Sequence, residues 1–302
     1  MGMRVATFAS SERMLNASLA TQARLSNLQM QQASGSISTN YGGLGSDTRP
    51  LLDLEATLKT SQSYADAAKS ADGRVEVMYS ALSSITDLLT DFRATLVSLM
   101  SSDSTTASRA ALTSAAEGYM DELASLLNTS YEGRYLFGGN STLDPPVDLS
   151  SYAPDAETES TDYYQGDDAV TSVKISRDQT VSYGVTANES AFEQAFRAFG
   201  IIANAGGTPD DELLQSSYDL VISSLDATIA VQSKLSIDAG TLERAQERQS
   251  DYQTMLEGAI SDLRDADVTA ITVRISNYET QLQASYSAIS KLQSLNLVDY
   301  LK

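Results

Sequence analysis

The feature that most restricts what this chain can become is a run of apolar residues at helical spacing. Val75, Met78, Leu82, Ile85, Leu89, Phe92, Leu96 and Leu99 advance by alternating steps of 3 and 4 with no polar interruption. That spacing sets all of them on one stripe of an α-helix, and its strict alternation is that of a coiled-coil seam. Leu54, Leu58, Ala65 and Ala68 extend the stripe toward residue 51, with polar Ser61 and Asp72 breaking it. A stripe this long requires partner helices to cover it.

The chain offers them. Residues 107–130 place Leu112, Ala116, Tyr119, Leu123 and Leu126 on one face, and Ser101-Ser102-Asp103-Ser104 ahead of them offers turn and N-cap chemistry. From Pro209-Asp210-Asp211 a longer helix runs through Leu214, Val221, Leu225, Leu235, Leu242, Leu256, Ile260 and Leu263. Gln246, Gln249 and Gln253 interrupt that register, which marks a seam that is wetter there or faces a partner. A last helix carries Val268, Ile271, Ile275, Tyr278, Leu282, Ile289 and Leu292, with Ser285 the one polar step. Residues 10–33 also read as helix, but Leu15, Leu19, Leu25 and Leu28 do not share one clean face. Gly35, Gly42, Gly43 and Gly45 then end it.

Between 140 and 190 the pattern changes. Pro145, Pro146 and Pro154 exclude helix interiors. Val170, Val173 and Ile175, then Val181, Tyr183 and Val185, alternate with period two around Arg177-Asp178-Gln179, the signature of a hairpin. Residues 189–205, with Phe192, Phe196, Phe199 and Ile202, return to helix. The predicted fold is therefore mainly α, with long antiparallel helices in coiled-coil-like bundles, paired N- and C-terminal helices and a small β-containing insertion. The expected parts are 1–45 with 268–302 as a terminal assembly domain, 46–139 with 189–267 as a helical core, and 140–188 as an outer domain.

Charge and composition narrow the function. The net charge is −20, from 40 acidic and 20 basic residues, which argues against a nucleic-acid groove and against adhesion to an anionic membrane. Eight carboxylates and no Lys or Arg lie between Asn140 and Val173, so the insertion reads as solvated. Asp162, Asp167 and Asp168 lack the alternating ligands and closing Glu of a calcium loop. With neither His nor Cys, the usual zinc sites and the Ser-His-Asp and Cys-His nucleophile systems are excluded, and no phosphate-binding glycine loop is present. No catalytic residue, metal or cofactor is expected. No run approaches 18 apolar residues, so no membrane span is expected, and the first eleven residues lack the apolar core of a secretory signal peptide.

The last helix is near neutral, since Glu279 and Asp299 offset Lys291 and Lys302. Its stripe has no evident cover in its own chain unless the N-terminal helix supplies it. Such a two-helix pair is marginal alone and gains burial from neighbouring copies. The expected assembly surface comprises Leu15, Leu19, Leu25 and Leu28 with Val268, Ile271, Ile275, Tyr278, Leu282, Ile289, Leu292, Leu295 and Leu297.

Two segments resemble a known family. Tyr131-Glu132 followed by Gly133, Arg134, Tyr135, Leu136, Phe137, Gly138 and Gly139 is similar to the Gly-Arg-Tyr-Leu-Phe-Gly-Gly motif of bacterial flagellins and hook-associated proteins. The ending from Leu282 to Leu301, with Lys291-Leu292-Gln293-Ser294-Leu295 and Val298-Asp299-Tyr300-Leu301, resembles the tail of that family's hook–filament junction branch. Arg4–Phe8 and Gln29–Ser36 fit the family's first helix more loosely. The resemblance implies an extracellular structural subunit of the flagellum, exported through the type III channel without a cleaved signal peptide. It implies terminal helices that order on assembly, with other copies in a ring, an adjacent hook-associated protein, flagellin on the filament side and an export chaperone as partners. The alternatives are a filament-forming flagellin and, remotely, a hydrolase or adhesin within 140–188.

Overall fold

The computed structural model describes residues 2–101 and 105–294. Its elements are α1 (Gly2–Ser34), a 3-10 stretch (Tyr41–Asp47), α2 (Thr48–Leu99), α3 (Thr106–Leu127), β1 (Ser130–Tyr131), β2 (Arg134–Tyr135), β3 (Ser172–Lys174), β4 (Thr180–Ser182), α4 (Ser190–Ala203), α5 (Asp211–Arg264) and α6 (Val268–Ser294). They form two compact units, one of Met1–Thr60 with Gln253–Lys302 and one of Ser61–Tyr252. The mainly helical architecture and the short antiparallel hairpin are those expected from the periodicity.

In the Ser61–Tyr252 unit all eight stripe residues of α2, from Val75 to Leu99, are buried. Leu112, Ala116 and Leu123 of α3 are buried in the same core, with Tyr119 and Leu126 packed against it. α4 contributes Phe192, Phe196, Phe199 and Ile202, all fully buried. Aromatic edges fasten these helices together. Phe92 meets Phe199 at 4.6 Å and Tyr119 at 5.0 Å between ring centroids, both edge-on, geometry that suits the ring quadrupoles. Tyr163, Val147, Ile175, Val181, Tyr183 and Val185, from the segment between β2 and α4, belong to the same core. α5 approaches α4 through small polar residues: buried Ser217 and Ser224 donate to the carbonyls of Ala198 and Ala191 at 2.8 and 2.6 Å.

Two of the three glutamines in the polar interval of α5 bond within the Ser61–Tyr252 unit. Gln246 donates to Asp72, and Gln249 accepts from Ser61 at 2.8 Å while donating to the Ile175 carbonyl at 2.9 Å. The two polar breaks in the α2 stripe thus face the glutamines of α5. A stretch of α5 has the length and apolar composition of a membrane span. Along one face of α5, Leu214, Ser217, Val221, Ser224 and Thr228 are buried against protein.

Three local readings are corrected. The N-cap of α3 is Thr105, whose hydroxyl accepts from the Ser108 amide at 3.1 Å; Ser102–Ser104 lie outside the described residues. α3 stops at Leu127 rather than near 130, because the Asn128 side chain turns to the Val147 backbone, accepting at 2.9 Å and donating at 3.0 Å. Beyond it β1 and β2 form a tight hairpin that periodicity did not reveal, since each strand has only two residues. The β3–β4 hairpin is present as expected, with Val173 opposite Val181.

α4 also carries the buried Glu193–Arg197 pair, at 3.2 Å, with Glu193 accepting from the Ser160 amide. Burial pushes the Glu193 carboxyl up, and Arg197 and the Ser160 N–H oppose this in part. A carboxyl with a raised value holds its proton in the folded chain after the unfolded chain has lost it. Stability from this group therefore falls as pH rises from the ordinary glutamate range through the raised value. Urea midpoints between pH 4 and 7 should show that decline in the wild type, and Glu193→Gln should flatten it. A second expectation concerns Gly200, where an added Cβ would fall on the ring of Pro154. Gly200→Ala should cost about 1–3 kcal/mol despite the better helix former. Gly118→Ala, into open space on α3, should gain up to about 1 kcal/mol by the same denaturation measurement.

Candidate assembly interface

The sequence expectation placed the interface on the first and last helices, and in the Met1–Thr60, Gln253–Lys302 unit α1 and α6 pack together. The helix breaks beside them are stapled side by side. α1 ends at Gly35, whose φ of +68° takes the left-handed conformation that a helix terminus of this kind requires. Just beyond, Ile37 donates to the Arg264 carbonyl at 2.8 Å and Ala266 donates to the Gly35 carbonyl at 2.9 Å, an antiparallel bridge centred on Ser36 and Asp265. The Asp265 carboxyl accepts from Ser261 at 2.6 Å and pairs with Arg264 at 3.3 Å, and the two hold it below the usual carboxylate range. Asp267 then caps α6, accepting from the Ala270 amide.

From this staple the helices run antiparallel, and Gln32 donates to Thr272 across the pair at 3.0 Å. Carried along the pair, that register sets Leu28 level with Ile275, Thr21 with Leu282 and Ser18 with Ser285. Burial agrees: Ile271, Ile275 and Leu282 of α6 are buried, and so are Ser18 and Thr21 of α1. Leu25, Leu28, Tyr278 and Ile289 are half-buried. Ser18, Thr21, Leu25, Leu28 and Gln32 step by 3 and 4. Two of the first three seam positions are hydroxyl residues, so a search for apolar stripes alone misses the face.

Leu15 and Leu19 lie on a neighbouring face and are 49% and 54% exposed. Met14 and Met30 on α1, and Val268, Val273 and Tyr286 on α6, are exposed as well. The predicted surface thus divides into residues that close the pair within one chain and residues that remain at its surface. Leu295, Leu297 and the side chain of Leu292 lie outside the described residues.

The Gly133–Gly139 motif lies in the other unit and serves packing. Glu132 and Gly133 both take left-handed backbone, with φ of +51° and +74°, making the two-residue turn between β1 and β2. Leu136 and Phe137 are buried, and Phe137 meets Phe192 edge-on at 6.1 Å. A Cβ on Gly139 would collide with Asp167, whose carboxylate accepts from the Asn140 and Ala169 amides. Asp167 is thereby engaged as a loop cap, and Asp168 accepts from Asn188.

Comparison with known proteins fits this arrangement of helical arms. The bacterial flagellin N-terminal helical region matches residues 5–142, and the bacterial flagellin C-terminal helical region matches residues 219–301. The chain belongs to the flagellin family. It is a structural protein of the bacterial flagellum, in a family of structural rather than enzymatic proteins. The fold is shared with several solved structures. A Vibrio parahaemolyticus protein ascribed to the flagellar hook-associated group is 16% identical, covering 75% of this chain and 100% of its own, with a TM-score of 0.62. FlgL of Bacillus cereus is 16% identical over 68% of this chain and 97% of its own, and hook-associated protein-3 of Legionella pneumophila 13% identical over 70% and 98%; each has a TM-score of 0.56. No curated protein matches the sequence directly.

The exposures give separable expectations for α1. Ile275→Ala should lower the protection of α1 and α6 amides by about 2 kcal/mol. Ser18→Ala removes a buried hydroxyl that has no partner, and should raise that protection by about 1 kcal/mol. Leu19→Ala should leave it within about 0.5 kcal/mol. Hydrogen exchange of the purified subunit reads all three.

Proposed function

We propose that this flagellin-family chain is the subunit that joins hook to filament, exported through the flagellar type III channel and assembled through α1 and α6. The observation that carries the reading is the division of the terminal pair. One face closes on Ser18, Thr21, Ile271, Ile275 and Leu282, while Leu15, Leu19, Val273 and Tyr286 stay exposed on the other faces. Covering a half-exposed leucine adds on the order of 1 kcal/mol. A few such residues on each copy add to the burial already made inside the pair, against a backbone ordering cost of about 1–2 kcal/mol per residue. Neighbouring copies in a ring are the natural cover. An adjacent hook-associated protein lies on one side and flagellin on the other, with an export chaperone shielding the apolar residues beforehand.

In this reading 1–45 with 268–302 assembles, 46–139 with 189–267 gives a rigid core, and 140–188 faces outward. The tail from Leu282 favours the junction role over that of the filament subunit, and the names of the structurally similar chains support it. A filament-forming flagellin is the second reading, favoured by the two flagellin regions matched.

A deletion strain separates them. Loss of the junction subunit should leave hooks in place while flagellin accumulates in the medium; filaments persisting on those cells would refute the role. Complementation with a Leu15→Asp, Leu19→Asp double variant should restore export but not filaments, because the substitutions strike the exposed face and leave the pair's own seam intact. Removal of 271–302 should leave a soluble subunit with a folded Ser61–Tyr252 unit that does not assemble, checked by circular dichroism and sedimentation.

A further inference from the structure

Two arginines in the Ser61–Tyr252 unit converge on one small cavity without a counter-charge. The cavity, about 110 Å³, is bounded by Arg74 and Met78 of α2, Arg134 at the start of β2, Asn140, Thr171 and Tyr183, among others. None of its lining residues is acidic. The Arg74 guanidinium donates through Nη1 to the Tyr183 hydroxyl at 3.3 Å, while its Nε is buried with no hydrogen-bond partner. Among the described residues the ion pairs of arginine are made by Arg109, Arg197 and Arg264, and neither Arg74 nor Arg134 lies within ion-pair distance of a carboxylate. The loop carboxylate packed beside Gly139, that of Asp167, is held by two backbone amides.

Local folding sets both cations. Gly73 lets the Tyr131 hydroxyl approach α2 closely, at 3.0 Å from where a Cβ would stand, which brings the β1–β2 hairpin against the helix beside Arg74. The tight Glu132–Gly133 turn then sends the chain back through Arg134. Two like charges at one cavity are unfavourable, and a single anion between them relieves this. The fork of a guanidinium fits a planar, two-oxygen anion best. The cavity accommodates a carboxylate group and excludes a nucleotide or a sugar phosphate by size.

We propose that Arg74 and Arg134, with the Tyr183 hydroxyl, form a binding site for one carboxylate group. In a chain of net charge −20, whose 40 acidic side chains greatly outnumber such cationic sites, that group is available from a second copy as well as from a free carboxylate ion. The argument uses nothing of the junction role and stands or falls separately from it.

The test is nuclear magnetic resonance on the full chain with 15N-labelled arginine, titrated with acetate at constant ionic strength against chloride. The Arg74 Nε–H resonance should move saturably with acetate and not with chloride. Arg134→Gln, at an exposed position that spares the core, should weaken the acetate midpoint about tenfold, and Arg134→Lys should recover part of it. If the same shift develops with protein concentration alone, the carboxylate is supplied by a second copy; if only acetate produces it, by a free ion. No saturable movement with either, or a midpoint that Arg134→Gln leaves unchanged, overturns the site.

Discussion

Burial of the α2 stripe is what draws α3, α4 and the segment between β2 and α4 into a single core, because Phe92 touches both Tyr119 and Phe199 through ring edges. Each fully buried side chain of this kind contributes about 1.5–3 kcal/mol. The second aromatic group, Tyr152, Tyr163 and Phe196, extends that core outward. Burial pushes the Tyr163 hydroxyl well above the usual tyrosine range, and it donates to the Ala187 carbonyl at 3.0 Å, so the ring is fixed at both ends. An acidic, proline-rich segment with few aliphatics is thereby kept compact by two tyrosines and by the α4 face beneath them.

Long elements were legible in the sequence and short ones were not. Eight apolar residues at strict spacing leave no other state for 75–99, and the α5 and α6 registers are nearly as restrictive. The β1–β2 hairpin is built instead from a left-handed Glu132–Gly133 turn and from Asn128 bonding the Val147 backbone nineteen residues away. No local periodicity encodes such a partner. The candidate interface was half legible for a related reason. α6 buries aliphatic residues and shows its seam in the sequence, whereas α1 buries Ser18 and Thr21 and leaves Leu15 and Leu19 outside. α1 thus keeps Leu15 and Leu19 outside the seam that Leu25 and Leu28 share with α6.

The polar interruptions in the long helices follow one rule. Ser61 and Asp72 in α2, and Gln246 and Gln249 in α5, look like defects when each stripe is read alone, yet they meet each other. Paired amides and hydroxyls in a seam have one productive alignment, whereas leucines slide past one another with little penalty. Such a layer fixes the register of two long helices at modest cost in burial.

One of those amides does more than set register. Gln249 also grips the Ile175 carbonyl at the exit of β3, and Arg74 holds Tyr183 at the exit of β4. The β3–β4 hairpin is therefore tethered at both ends, beside its turn to α5 and at its root to α2. A load on that hairpin would divide between two helices, entering α2 near its middle and α5 toward its C-terminal end.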